Sequence, residues 1–183
     1  MNKRLGKVRV IGGSLRGTRV PVGEGYGLRP TTDRIKETLF NWLALDIDGA
    51  RCLDLFAGTG SLGLECISRG AMAAVFVEKN QHVAEKISSL LIDLQIAVAE
   101  VLVQDATSYL KSCNTQFDIV FIDPPFKSGL VLPTLHALAK SNLAPGGMVY
   151  AEFSRGELVL PSDWQKLKSG MTKNVEFCLL VRR

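Results

Sequence analysis

The sequence predicts an α/β fold built on a doubly wound sheet that is mostly parallel, with one antiparallel strand and an N-terminal β-hairpin extension. From Arg51 onward, strand-sized apolar segments alternate with helical segments, the order that is typical of βαβ units. The strand segments are continuously apolar, as expected for a sheet that is buried on both faces. A glycine-rich loop directly follows the first of them, which makes the sheet Rossmann-like.

The apolar pattern gives the order of the elements. Strands are predicted at residues 51–56, 73–78, 99–103, 117–123 and 146–153, and helices at 61–69, 81–94, 106–111 and 130–141. Residues 174–183 are predicted to form a further strand, as part of a closing antiparallel pair. With 183 residues, of which 46% are hydrophobic and 22% charged, the chain can bury a core unaided.

The N-terminal segment is patterned as structure. Val8, Val10, Val20 and Val22 alternate with polar residues on either side of a glycine-containing turn, which predicts a short hairpin. We assign residues 1–28 to this hairpin and a linker, and residues 29–183 to the main domain. A helix is expected within residues 31–45, whose apolar residues recur on one face.

Basic residues are concentrated at the start of the chain. Residues 1–36 hold nine Lys/Arg and two Asp/Glu, a net charge of +7, whereas the remainder holds 13 basic and 16 acidic residues, a net charge of −3. Because this segment is also structured, we interpret it as a surface for a polyanion, with RNA favoured, and not as a solvated arm. Arg9, Arg16 and Arg19 are the expected RNA contacts.

The remaining bulk features exclude several classes of protein. No apolar run reaches the length of a membrane span, and no apolar signal-peptide core follows the basic N-terminus. The four cysteines, Cys52, Cys66, Cys113 and Cys178, show no CxxC spacing, so buried thiols are favoured over disulfides or zinc. We therefore expect a cytoplasmic protein with no metal. His82 and His136 lie in predicted helices without ligand-spaced partners and are assigned no role.

The glycine loop predicts an adenosine cofactor. Gly58, Gly60 and Gly63 have the GxGxxG spacing after a strand, and Glu78 ends the next strand 20 residues after Gly58, where an acid can bind ribose hydroxyls. Asp54 lies four residues before Gly58. A carboxylate there disfavours the pyrophosphate of NAD and favours a cofactor with a cationic amino group. S-Adenosyl-L-methionine fits both features.

The stretch "FIDPPF" predicts the chemistry. Asp123 ends a buried strand, so its carboxylate is expected at the same sheet edge as the glycine loop. Pro124 and Pro125 cannot donate backbone hydrogen bonds, which leaves nearby carbonyls available to accept an amine. Phe126 follows as a ring on which a planar base can stack. This arrangement suits methyl transfer to an exocyclic amine, with Asp123 stabilising the positive charge that develops on nitrogen.

The chain resembles the class I S-adenosylmethionine-dependent methyltransferases through "DLFAGTG" and "DPPF". More narrowly, it resembles the bacterial 16S ribosomal RNA (guanine(966)-N(2))-methyltransferase family. The motifs that carry this likeness are "RVIGGSLRGTRVPV", "LRPTTDRIKETLFNWL", "LDLFAGTGSLGLE", "SRGA" and "FIDPPF". They span nearly the whole chain.

The resemblance implies roles for residues of this sequence. Arg29, Thr31 and Thr32 would close the methionine end of the cofactor pocket. The cofactor would be cradled by Asp54, Phe56, Ala57, Gly58 and Gly60. Glu78 would hold the ribose with Lys79 beside it, and Asp105 with Ala106 would lie at the adenine, although Asp105 could instead be only a helix N-cap. Asp123, Pro124, Pro125 and Phe126 would receive guanine N2 of 16S ribosomal RNA.

Two alternatives stay open at this level. The same acceptors suit other amines, namely adenine N6 of nucleic acid or a glutamine side chain. The second alternative is a Rossmann-like domain that only binds nucleotide or RNA, although such a domain would need no amine acceptors. We expect a monomer, and the sequence does not decide whether the substrate is free RNA or the small ribosomal subunit.

Overall fold

A computed structural model describes residues 8–20, 33–138 and 142–183 of the chain. The strands are β1 Val8–Arg9, β2 Arg19–Val20, β3 Arg51–Asp54, β4 Ala73–Glu78, β5 Ala99–Val103, β6 Phe117–Ile122, β7 Leu143–Ser154, β8 Trp164–Met171 and β9 Val175–Arg182. The helices are α1 Asp33–Trp42, α2 Ser61–Ser68, α3 Gln81–Asp93, α4 Ala106–Ser112 and α5 Val131–Leu138. Val22, Arg29, Thr31 and Thr32 lie outside the described residues.

Seven strands form one sheet in the order β5-β4-β3-β6-β7-β9-β8. Strands β3 to β7 pair in parallel with their neighbours. Strand β9 is antiparallel to both β7 and β8, so within the described residues it is the one reversed strand of this sheet. The prediction of a mostly parallel sheet with a closing antiparallel pair is therefore confirmed.

The sheet is buried on both faces. Along β6, Ile119 and Phe121 join one hydrophobic cluster with α1, α2 and α3. Val120 and Ile122 join a second cluster, with α4 and α5, on the opposite face. All four side chains are at most 1% exposed. A continuously apolar strand is what this arrangement requires, because successive side chains point to opposite faces.

The N-terminal hairpin packs on the same core as the sheet. Val8 pairs with Val20, and Arg9 pairs with Arg19. Val8, Val10 and Val20 belong to the cluster beneath α1, whereas both arginines are exposed. The valines thus attach the hairpin to the domain, and the two arginines lie side by side on its outer surface.

A buried carboxylate holds the hairpin loop. Glu65 of α2 accepts the N–H groups of Ile11 and Gly12, each at 2.8 Å, through its two oxygens. Further along the loop, the backbone N–H groups of Ser14 and Leu15 donate to Ser68 at 2.7 and 2.9 Å. Two further hydrogen bonds, from the Ser14 hydroxyl to the Ser68 carbonyl and from the Ser68 hydroxyl to the Gly12 carbonyl, also hold the loop along α2.

One expectation about an individual residue is wrong. Lys36 was counted in the basic surface, but it is fully buried and donates to the Arg9 carbonyl at 2.6 Å. Burial lowers its pKa, and the charge of Glu65 partly offsets that shift.

Candidate active site

A cavity of about 420 Å³ opens at the carboxyl ends of strands β3, β4, β5 and β6. Parallel strands bring their carboxyl ends to one edge, and ligands of open α/β sheets bind there. The lining includes twelve residues singled out from the sequence: Asp54, Phe56, Ala57, Gly58, Glu78, Lys79, Asp105, Ala106, Asp123, Pro124, Pro125 and Phe126. Gly60 lies in the same loop but does not line the cavity.

Glu78 joins two loops at the rim of the cavity. Its Oε2 atom accepts the N–H of Gly58 at 3.0 Å, and its Oε1 atom accepts the N–H of Asn80 at 2.8 Å. Gly58 and Gly60 have φ angles of 53° and 75°, a left-handed conformation that glycine adopts without strain. Glu78 therefore fixes the glycine loop after β3 to the loop after β4.

Asp54 lies beneath the glycine loop. Its Oδ2 atom accepts the N–H of Gly63 at 3.2 Å, and the side chain is buried. Burial raises the pKa of Asp54 to about 7, and the negative charge of Glu78 also raises it, whereas the N–H groups of Gly63 and Phe56 lower it. A carboxyl group with this pKa ionises readily at neutral pH when a cation is bound beside it.

Asp105 caps helix α4. Its Oδ1 atom accepts the Thr107 hydroxyl at 2.6 Å and the Ser108 N–H at 3.0 Å. These two hydrogen bonds lower the pKa of Asp105. The N-cap role considered from the sequence is thus real, and the residue also lines the cavity. A capping carboxylate has a second oxygen, so the two roles are compatible.

The Asp123–Phe126 stretch follows β6 across the cavity from the glycine loop. Pro124 is buried, and Phe126 is 40% exposed. The turn is closed by a hydrogen bond from the Ser128 N–H to the Pro125 carbonyl at 3.1 Å. Among the hydrogen bonds of the described residues, none has the Pro124 carbonyl as its acceptor.

A buried phenol, Tyr150, lies close enough to Asp123 to interact with its charge. Tyr150 donates its hydroxyl proton to Glu152 Oε2 at 2.8 Å, and both residues are buried in β7. The pKa of Tyr150 is raised well above its usual value by burial first, and then by the charges of Glu152 and Asp123. Tyr150 therefore stays protonated and keeps donating to this acidic group.

Several lining residues were not identified from the sequence: Thr59, Ser61, Leu62, Val77, Asn80, Val83, Gln104 and Leu130. A signal for Asn80 was present, because an Asn directly before a helix is a typical N-cap. It does cap α3, accepting the Val83 N–H at 3.2 Å. Most of the others are apolar or small residues whose contribution depends on the tertiary fold.

In the described part of the chain, no group of three or more His, Cys, Asp or Glu residues is placed to hold a metal ion. Across residues 8–20, 33–138 and 142–183, no helix has both the length and the apolar character to cross a membrane. The four cysteines are free thiols; Cys52, Cys66 and Cys178 are buried and Cys113 is half-buried.

The reversed strand β9, the glycine loop held by Glu78 and the Asp-Pro-Pro-Phe stretch together define a class I methyltransferase. The family described as Conserved hypothetical protein 95 matches residues 8–181, and the chain belongs to it.

Similar proteins agree with this class. "Ribosomal RNA small subunit methyltransferase D" of Escherichia coli (strain K12) is 41% identical over 180 residues, which cover 97% of this chain and 91% of that protein. The protein of the same description from Haemophilus influenzae is 42% identical, with coverage of 95% and 93%. The solved structure of the candidate methyltransferase yhhF from Escherichia coli superposes with a TM-score of 0.88 at 40% identity, covering 97% of this chain and 98% of that one.

Proposed function

We propose that this protein transfers a methyl group from S-adenosyl-L-methionine to the exocyclic N2 of a guanine in small-subunit (16S) ribosomal RNA. The observation that carries this proposal is that Asp123–Phe126 and the glycine loop line one cavity. An amine acceptor set and a nucleoside-binding loop then face each other. The choice of small-subunit ribosomal RNA as the substrate is based on the names of the relatives at 41% and 42% identity.

The charges in the cavity fit this cofactor. Its lining carries the carboxyl groups of Asp54, Glu78, Asp105 and Asp123 and a single lysine, Lys79. S-Adenosyl-L-methionine carries an ammonium and a sulfonium cation, so an acidic cavity attracts it. When bound, it supplies the electrophilic methyl group. Asp54 would face its cationic end, Glu78 its ribose, and Asp105 with Ala106 its adenine. Arg29, Thr31 and Thr32 would close the methionine end.

Asp123 and the Pro124 carbonyl would hold the two hydrogens of the guanine amine. This directs the nitrogen lone pair away from the ring and towards the methyl group. As positive charge develops on nitrogen, the Asp123 carboxylate stabilises it. Phe126 would stack on the base, a contact worth about 1–3 kcal/mol. Alignment of the two reactants supplies much of the remaining acceleration.

The hairpin, within residues 1–28, would bind the RNA backbone. Arg9 and Arg19 are cross-strand neighbours on its exposed side, and Arg16 is exposed in the connecting loop. Arginine side chains bind phosphate groups through charge-assisted hydrogen bonds. These contacts would position the RNA without reading its sequence, and they would weaken steeply with salt.

We further propose that the protein acts as a monomer in the cytoplasm. None of the residue roles proposed above calls for a second copy of the chain. Free thiols at all four cysteines fit a reducing compartment.

The proposal is tested by transfer of labelled methyl groups to small-subunit particles, to free 16S RNA, to DNA and to protein. Nucleosides from the digested products are identified by mass. We expect N2-methylguanosine in 16S RNA. Asp123→Ala should lose about 10²–10³-fold in rate, as when one group that stabilises charge in a transition state is removed, while the Kd for the cofactor stays close to that of the wild type. Label in N6-methyladenosine or in protein would refute the substrate, and binding without transfer would refute the activity.

A further inference from the structure

A second cavity of about 480 Å³ adjoins the first one at Phe126, which lines both. The rest of its lining comes from the residue after Phe126, from the C-terminal end of β7 and from the segment that enters β9. These residues are Lys127, Ser154, Arg155, Lys173, Asn174 and Val175. We call this second cavity the basic cavity. It lies on the outer side of the residue on which the target base is proposed to stack.

The two cavities have opposite charge. The first is lined by four carboxyl groups, whereas the described lining of the basic cavity holds Lys127, Arg155 and Lys173 and no acidic residue. All three cationic side chains are exposed, and none forms an ion pair with another described residue. Glu157 contacts this lining without being part of it, accepting the Ser154 N–H at 3.1 Å.

The walls of the basic cavity are held by regular backbone contacts. Ser154 and Val175 form the last pair of the β7–β9 ladder. Beyond it, the Arg155 N–H donates to the Asn174 carbonyl at 3.1 Å. Arg155 and Lys173 therefore lie beside the hydrogen-bonded ends of β7 and β9, and the sheet sets their relative position.

Lys127 has an unusual backbone conformation. Its φ angle is 59°, in the left-handed region that non-glycine residues rarely adopt and that costs about 1–3 kcal/mol at strained sites. The Ser128 N–H to Pro125 carbonyl hydrogen bond closes the turn in which it lies. A lysine at a position where glycine would be less strained points to a use for its side chain, and this residue lines the basic cavity.

We infer that the basic cavity binds the phosphates next to the target nucleotide, so that the base passes Phe126 into the acidic cavity. This inference rests on the proposed function and extends it to the substrate's backbone. A nucleotide carries an anionic phosphate on one side of its sugar and a base on the other. The basic cavity is complementary to the phosphate, and the acidic cavity holds the acceptors for the amine of the base. Three cations with amide and hydroxyl donors suit phosphate oxygens and carry no means of reading sequence.

The test uses the full chain and removes one cation at a time, with Lys127→Gly, Arg155→Ala and Lys173→Ala. Glycine relieves the left-handed conformation at residue 127, so a loss there cannot be ascribed to strain or misfolding. Lys168→Ala is the matched control, because Lys168 is an exposed lysine of β8 that does not line the basic cavity. The Kd for a 16S RNA fragment is measured across a series of salt concentrations.

Each cavity variant should bind the RNA about 3–10-fold more weakly near physiological salt, and the slope of log Kd against log salt should fall by about one. The control should match the wild type, and the Kd for the cofactor should not change in any variant. Arg155→Lys should recover part of the lost affinity.

The outcomes separate the two proposals. If the wild type methylates 16S RNA but all three variants keep its affinity and salt slope, the inference is wrong and the proposed function stands. If the variants lose RNA binding but no RNA is methylated, the proposed function is wrong and the RNA-binding cavity stands. Competition by polyglutamate that equals competition by single-stranded RNA would overturn the inference in favour of an acidic protein partner.

Discussion

Gly63 of α2 packs directly against the ring of Phe76 in β4. A Cβ atom built on Gly63 would lie 2.3 Å from Cε1 of that ring, well inside van der Waals contact. This close approach brings α2 onto the sheet, and the Gly63 N–H can then reach Asp54. The third glycine of the loop motif is therefore required for packing, whereas Gly58 and Gly60 are required for backbone conformation.

Gly63→Ala should lower the free energy of unfolding by about 1–3 kcal/mol, because the added methyl group forces the helix or the ring to move. In a helix without this contact, the same change would stabilise the protein by about 0.5–1 kcal/mol. The sign of the change in the free energy of unfolding therefore shows whether Gly63 packs against Phe76. Urea unfolding measures it, and a variant as stable as the wild type would contradict the packing described for α2 and β4.

Asp54 should make stability depend on pH. Its pKa is raised from 3.8 to about 7 in the folded protein, so between these values the folded state holds a proton that the unfolded state has released. The stability that this group contributes is fully present below pH 4 and is lost as the pH rises through about 7. The loss is on the order of 4 kcal/mol, at about 1.4 kcal/mol for each pH unit.

Asp54→Asn cannot ionise, so its free energy of unfolding should lack this dependence. As the pH rises from 4 to 8, the free energy of unfolding of the wild type should therefore fall relative to that of the variant. Urea titrations at several pH values measure that difference. A difference that stays constant over the range would show that Asp54 is already ionised in the folded protein at low pH.

Glu65→Ala should detach the hairpin loop. The change removes the acceptor of the Ile11 and Gly12 N–H groups and a negative charge that acts on the buried Lys36. Breaking such a buried charged contact costs about 3–5 kcal/mol. Faster trypsin cleavage after Arg16 and a lower urea midpoint are the expected readouts.

Glu85→Ala is the matched control, because Glu85 is an exposed helix residue whose contacts are to the nearby His82 and Gln81. It should change stability by no more than about 0.5 kcal/mol. Equal trypsin sensitivity of the two variants would mean that Glu65 does not anchor the hairpin.

Phe126→Ala should reduce methyl transfer without weakening cofactor binding. Loss of a stacking partner worth about 1–3 kcal/mol corresponds to about 5–150-fold in kcat/KM for the RNA. Phe126→Tyr keeps the ring and should stay close to the wild type. Single-turnover transfer measures the rate, and an alanine variant as fast as the wild type would exclude stacking at this position.

The elements that could be predicted from the sequence are those with a continuous apolar pattern. The bounds of β4 and β5 agree with the predictions, because both segments are mainly apolar and a polar residue, Glu78 or Gln104, marks the end of each. Glu78 and Asp123 could be placed at the cavity for the same reason, since each ends such a strand.

Long-range contacts could not be predicted. Lys36 looks like a surface residue, and nothing near it in the sequence shows that a hairpin will cover it. The basic cavity combines residues from three separate segments, which meet because β9 returns beside β7. Strand β8, which begins at the buried Trp164, is otherwise mostly polar, and it was not predicted because an edge strand tolerates polar residues that break the apolar pattern.

The hydrogen bonds between the hairpin loop and α2 have a consequence for the entropy of RNA binding. A basic arm that became ordered only on RNA would lose about 1–2 kcal/mol of backbone entropy for each residue. Here Ile11, Gly12, Ser14 and Leu15 are already fixed to Glu65 and Ser68. In this protein the backbone entropy of the loop is lost during folding. Arg9 and Arg19 would therefore contact the RNA as a preformed pair, and conformational adaptation at the proposed contact would occur in the RNA.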